Sequence, residues 1–74
     1  SDVCSSDLAG LLLALGKLCL QEKLWGRAKS YLEASNSITP SKAAFTTLAK
    51  IAEDQGKTDE ASKYYQRAMS LADQ

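Results

Sequence analysis

The chain repeats itself, and that fact limits its fold more than any other. Sliding the sequence against itself by 33 residues sets Leu12 on Phe45, Leu15 on Leu48, Gly16 on Ala49, Cys19 on Ala52, Ala28 on Ala61, Leu32 on Tyr65 and Ser35 on Ala68. Bulky side chains meet bulky ones and small meet small. A period of this length is the mark of a supersecondary unit that is copied and stacked, each copy burying what its neighbour leaves bare. The small positions, Gly16/Ala49 and Ala28/Ala61, are those where two helices can approach closely because neither carries a large side chain.

Within each copy the apolar residues recur at intervals of three and four rather than two, which predicts helices and no strand. The fold class is all-α. The first helix is expected from about Gly10 to Glu22 and the second from about Trp25 to Ile38, where Thr39-Pro40 stops it. Thr39 or Ser41 can cap the third helix, with Pro40 near its first position, and this helix is expected to reach about Gln55. Gly56 supplies a left-handed stop, and Thr58 followed by Asp59 and Glu60 reads as the cap of a fourth helix ending near Ala72. Connections of about two to four residues force consecutive helices to pack antiparallel. The organisation is thus two helical hairpins, residues 9–41 and 42–74, preceded by residues 1–8. That octapeptide is polar, unpatterned and rich in turn formers. It resembles the translation of a sequencing-adapter oligonucleotide, which would make it non-native; a native disordered terminus is the alternative.

Composition removes most chemistries. Seventy-four residues make one small domain. Nine basic and nine acidic residues cancel, so no global field draws the chain to nucleic acid or to an anionic membrane. There is no histidine, the commonest general base and metal ligand. Two cysteines, Cys4 and Cys19, make neither a disulfide framework nor a paired zinc motif. The apolar run from Leu11 ends at Lys17, well short of the roughly 20 residues of a membrane span. The residues before it carry Asp2 and Asp7 and no cation, the wrong sign for a signal peptide. Direct membrane contact by this segment is not expected.

The repeated positions resemble the tetratricopeptide repeat, with its aromatic-x2-Leu-Gly-x2-Tyr, Ala-x3-Phe and Pro pattern. One copy reads Leu12-x2-Leu15-Gly16-x2-Cys19, Ala28-x3-Leu32 and Pro40; the other reads Phe45-x2-Leu48-Ala49-x2-Ala52, Gly56, Ala61-x3-Tyr65 and Ala68. Three departures affect turns: the first copy is one residue short before the third helix, Lys23 stands where an inter-helix glycine is usual, and no proline follows Ala68. The resemblance implies an α-solenoid fragment that binds proteins rather than an enzyme. The run from Leu13 to Ala28, with Tyr31-Leu32-Glu33-Ala34-Ser35 after it, is also similar to the carboxy-terminal repeats of the bacterial HemY family. That similarity implies a parent tethered in the inner membrane, with these repeats on its cytoplasmic side, and a link to haem (porphyrin) biosynthesis. It does not imply that haem binds here. No cofactor is expected, because the potential axial ligands are Cys19, followed by Leu20 rather than proline, three tyrosines and Met69.

The remaining reactive residues read as structural. Glu53-Asp54 and Asp59-Glu60 are sequence neighbours, and neighbours on a helix point about 100° apart, so neither pair is an acid/base couple. Cys19 falls on a buried spacing and reads as a small hydrophobe. Tyr31, Tyr64 and Tyr65 read as packing aromatics. Gly56-Lys57-Thr58 lacks the first glycine of a phosphate loop, Ile51 standing in its place. No catalytic or metal-binding residue is nominated.

A surface remains. In the family resembled, the first helix of each pair lines a concave face, which here places Leu13, Lys17, Leu20, Gln21, Thr46, Lys50, Glu53 and Asp54 in a candidate partner-binding groove. Lys17 and Lys50 are equivalent under the shift, so stacking sets two ammonium groups along one wall, suited to a protein or peptide segment with an acidic group and an apolar anchor. The alternative is ordinary solvated lysine. Leu13 and Lys17 stand where the clamp for a terminal carboxylate wants Lys and Asn, which disfavours a chaperone-tail receptor. Leucines spread around most of the first helix predict burial on several sides, by a neighbouring repeat of a parent protein or by self-association through Leu11 and Leu18. A purely structural or oligomerising repeat pair is accordingly the rival to a scaffold with a ligand.

Overall fold

The computed structural model describes residues 4–71, with side chains from Leu8 onward. Four helices follow one another: α1 (Cys4–Gln21), α2 (Trp25–Ile38), α3 (Lys42–Asp54) and α4 (Thr58–Ser70). No strand occurs among the described residues. The chain is all-α, as the periodicity predicts, and its two halves are tandem helical hairpins. Each helix packs on the next, and α1 also touches α3. α1 and α3 form one layer and α2 and α4 the other, in a slab only 15 Å through its thinnest dimension. α2 and α4 are bridged by an ion pair, Lys29 Nζ to Glu60 Oε1 at 3.8 Å, between part-exposed side chains that contribute little in water.

The two hairpins turn by the same device, and the 33-residue shift carries one turn onto the other. In the first, Leu24 N–H donates to Cys19 O (2.8 Å) and Lys23 N–H to Leu20 O (2.9 Å); in the second, Lys57 N–H donates to Ala52 O (2.7 Å) and Gly56 N–H to Glu53 O (3.0 Å). This pairing of a six-residue and an inner four-residue closure is the Schellman stop, which needs a left-handed residue just past the helix. Gly56 fills the position at φ 79°, and Lys23 fills the equivalent one at φ 61°. The departure from glycine at Lys23 therefore leaves the turn unchanged and places a side chain where left-handed backbone crowds its Cβ, at a cost of roughly 1–2 kcal/mol.

The same turns correct one expectation. Thr58 does not cap α4; it is the first helical residue, and Lys57 is the cap, without a side-chain hydrogen bond. The reason is economy of chain: the last residue of the Schellman turn is already the first carbonyl of the next helix, since Lys57 O accepts from Ala61 N–H at 3.0 Å and Leu24 O from Ala28 N–H at 2.9 Å. Asp59 and Glu60 still lie in the first turn of α4. Between the hairpins, Ser41 is the cap, its Oγ accepting from Ala44 N–H at 3.2 Å. Pro40 thus lies outside the helix rather than at its first position.

The start of α1 also differs from expectation. The backbone of residues 4–9 is helical, where the helix was expected to begin near Gly10. Once a helix is nucleated, each added residue gains a hydrogen bond, so nothing short of a proline or a competing cap stops it from growing backwards. The boundary drawn at residue 8 is therefore not a break in secondary structure between Cys4 and Gly10. The expected end of α4 near Ala72 lies outside the described residues.

Packing explains which positions are small. Ala28, Leu32, Ala44, Leu48 and Ile51 form one buried cluster joining α2 to α3, with Leu13, Cys19, Leu20, Trp25, Phe45 and Tyr64 packed around it. Ala49, Ala52 and Ala61 form a second, inside the second hairpin. At Gly16 the helices meet so closely that a Cβ would lie 2.7 Å from Leu32 Cγ and 3.3 Å from Ala28 O. Glycine is required there by Leu32. In the second hairpin Tyr65 takes the place of Leu32 and is only half-buried, while Ala49 and Ala61 are buried in its Gly16 and Ala28 positions.

Three substitutions test this packing by chemical denaturation. Gly10→Ala, on an exposed stretch of α1 with open space around it, is expected to add about 0.5–1 kcal/mol of stability from helix propensity alone. Gly16→Ala brings the same propensity gain but should lower stability by about 1 kcal/mol net, because it overpacks Leu32. Lys23→Gly should raise stability by about 0.5–1 kcal/mol, the relieved strain exceeding the extra chain entropy; a loss would mean that Lys23 is not left-handed in solution.

Candidate functional site

The eight groove residues lie on α1 and α3 in shift-equivalent pairs: Leu13 with Thr46, Lys17 with Lys50, Leu20 with Glu53 and Gln21 with Asp54. The structure divides them by burial. Lys17, Gln21, Lys50, Glu53 and Asp54 are exposed. Leu13 and Leu20 are half-buried, with part of each packed against the α2–α3 cluster and part left open. Thr46 spends its hydroxyl inside its own helix, donating to Lys42 O and Ala43 O at 3.0 Å each, so its methyl is what remains to meet a partner. The face is thus cationic at its two lysines, acidic near the end of α3, and apolar between.

Glu53 has a structural tie. Tyr65 Oη donates to its Oε1 across the second hairpin at 3.4 Å. Partial burial raises the Tyr65 pKa above the ordinary 10.0, and the charge and hydrogen bond of Glu53 raise it further. Tyr64, half-buried between the two core clusters, is raised chiefly by burial. These phenols pack and are not set up as nucleophiles, in line with the structural reading of the tyrosines. Cys19 is half-buried beside the core as a free thiol. Among the described residues no three His, Cys, Asp or Glu side chains converge as a metal site.

Two polar residues of α2 escaped the sequence analysis. Ser35 is buried, and its Oγ donates to Ala9 O at 2.9 Å, tying the end of α2 to the start of α1. In the sequence it shows only as a small residue opposite Ala68. Asn36 Oδ1 accepts from Ser41 N–H at 3.1 Å and fixes the bend between the hairpins, while its Nδ2 is buried without a partner. Ala9, Gly10, Leu13, Ser35, Thr39 and Ser41 line a cavity of about 190 Å³, so of the eight groove residues Leu13 alone reaches it. Its only side-chain polar atoms are the hydroxyls of Ser35, Thr39 and Ser41, and those of Ser35 and Ser41 are already engaged.

Comparison with known proteins agrees with the hairpin architecture. The sequence model of the tetratricopeptide repeat family matches residues 43–74, which is α3, its turn and α4. No curated protein and no solved structure matches the chain. Repeats of this family typically serve as non-enzymatic scaffolds that bind proteins or peptides. The first hairpin, outside the match, shares the second hairpin's turn bonds and small contact positions.

Because folding raises the pKa of Tyr64 and Tyr65, their protonated forms contribute stability that is fully present below pH 10 and is lost as pH rises through the raised values. Absorbance titration of phenolate should therefore show Glu53→Gln lowering the Tyr65 midpoint while leaving Tyr64 in place. An unchanged Tyr65 midpoint would contradict the Glu53 contact.

Proposed function

We propose that this chain is a protein-binding scaffold module, whose α1/α3 face receives a peptide segment carrying an acidic group and an apolar anchor. The observation that carries the reading is the pair Lys17 and Lys50: both exposed, both on the first helix of a hairpin, and related by the repeat itself. Leu13 and Leu20, half-open beside Lys17, supply the apolar ground. An anion bridging two lysines gains from both, while the leucines reward only a segment that brings hydrophobic surface with it.

A finer reading rests on the resemblance of Leu13–Ala28 to the HemY family. By it, the hairpins belong to a longer parent anchored in the bacterial inner membrane, on the cytoplasmic side, and linked to haem biosynthesis, with residues 9–41 and 42–74 as two of its repeats and residues 1–8 foreign to it. No helix among the described residues is long and apolar enough to cross a membrane. Under this reading an anchor lies elsewhere in the parent, and the coding sequence upstream of Ala9 decides the matter. The second reading, a repeat pair that only contributes structure or self-associates, is favoured by the exposure of Leu11 and Leu18, 56% and 55% accessible on a helix with no neighbour on that side.

Selection from a displayed random-peptide library tests the groove. Peptides combining Asp or Glu with a large apolar residue should be enriched, and Lys17→Glu with Lys50→Glu should weaken the selected peptides by about tenfold or more without altering the helical circular dichroism. Equal binding by the charge-reversed chain would remove the groove and leave the structural reading.

A further inference from the structure

The interface between the hairpins shows what fits the exposed ends of the molecule. On α3, Ala44, Thr47 and Ile51 are buried, at 0%, 9% and 1% exposure. Ala44 and Ile51 share a cluster with Ala28 and Leu32 of α2. Moved back by 33 residues, these three positions become Leu11, Ala14 and Leu18 on α1, all exposed. The opposite end mirrors this. On α2, Leu32 is fully buried and Lys29 and Asn36 are partly buried; moved forward by 33 residues they become Tyr65, half-buried, and Ser62 and Met69, both exposed, Met69 at 71%. The face that α3 turns to α2 is thus present again on α1 with nothing on it, and the face that α2 turns to α3 is present again on α4, also bare.

We propose that a second copy of this chain docks here head to tail, the α4 face of one copy (Ser62, Tyr65, Met69) seating on the α1 face of the next (Leu11, Ala14, Leu18) as α2 seats on α3. The proposal refines the self-associating reading above by fixing which surfaces meet and with what polarity. Neither strip carries a charged residue, so their apposition buries no unpaired ion. The exchange of Ala44, Thr47 and Ile51 for Leu11, Ala14 and Leu18 leaves the α1 strip at least as apolar as the one already buried inside the molecule. Since the two surfaces differ, the contact is heterologous: each docking leaves one free α1 face and one free α4 face, and growth is stepwise rather than closed at a dimer.

Sedimentation velocity from micromolar to millimolar concentration tests this with the unaltered chain and with Leu18→Lys and Met69→Lys. Both substitutions fall on exposed positions, and circular dichroism checks that both variants stay helical. The unaltered chain should form a concentration-dependent series beyond dimer. Each variant should shift the association midpoint by about tenfold or more. An equimolar mixture of the two variants should form a one-to-one dimer and nothing larger, because the Met69→Lys chain keeps an intact α1 face and the Leu18→Lys chain an intact α4 face. If Leu18→Lys blocks assembly while Met69→Lys assembles like the unaltered chain, the polarity is wrong and the α1 faces pair with each other. A monomer at every concentration overturns both the polarity and the self-association beneath it.

Discussion

At Gly16 the absence of a side chain lets α1 settle against α2 until Leu32 occupies the space a Cβ would fill. Everything else in the first hairpin follows from that approach. It puts Leu32 and Ala28 out of reach of water, lets one cluster run through α2 into α3, and draws the start of α1 close enough for Ser35 to hold Ala9 O. Dispersion and burial reward contact only at van der Waals distance, so a helix pair held even a methyl group farther apart would forfeit much of the roughly 1.5–3 kcal/mol that a buried leucine contributes. The second hairpin reaches a similar contact with alanines at 49 and 61, and leaves Tyr65 half outside to bond Glu53.

Having one hairpin design twice over determines what the molecule can offer. Identical stops at Lys23 and Gly56 return each chain direction at the same angle, so the first helices share a layer and the second helices share the other. The layer of first helices aligns equivalent residues, and this is why two lysines seventeen residues into different stretches of sequence can act as one feature of a wall. A two-layer slab also has ends. A stack that buries one internal boundary exposes the same chemistry at its two termini, so recognition of partners by the face and recognition of neighbours by the ends are separate properties of one architecture.

Much of this was legible because period and residue size survive in a sequence. The α2 boundaries, Trp25 and Ile38, fell where the Thr39-Pro40 stop placed them, and the contact positions at 16, 28, 49 and 61 were visible as small residues recurring at a fixed distance. What escaped depends on backbone geometry rather than pattern. The start of α1 was misplaced because the polar composition of residues 5–7 suggested turns, while a helix that exists beyond them needs little to extend. Thr58 looked like a cap by residue type, but the Schellman turn had already committed Lys57 to that role. Of the groove residues, sequence gave position and not burial: that Leu13 and Leu20 sink partly into the core while Lys17 and Lys50 stay out follows from how α2 crosses beneath them. Ser35 and Asn36 carried no signal, since a buried serine and an inter-hairpin asparagine differ from solvated ones only in what surrounds them.

The central claim is that two equivalent hairpins are each closed by a small-residue contact between their helices. Nuclear Overhauser effects in the unaltered chain measure it most directly. The account predicts cross-peaks from the Gly16 α-protons to the Leu32 methyls, together with cross-peaks from the Ala49 methyl to the Ala61 methyl, and helical sequential patterns on both sides of Lys23 and of Gly56. Helices that form without either long-range set would contradict it, as would the second set alone, which would leave residues 43–74 as the one formed hairpin.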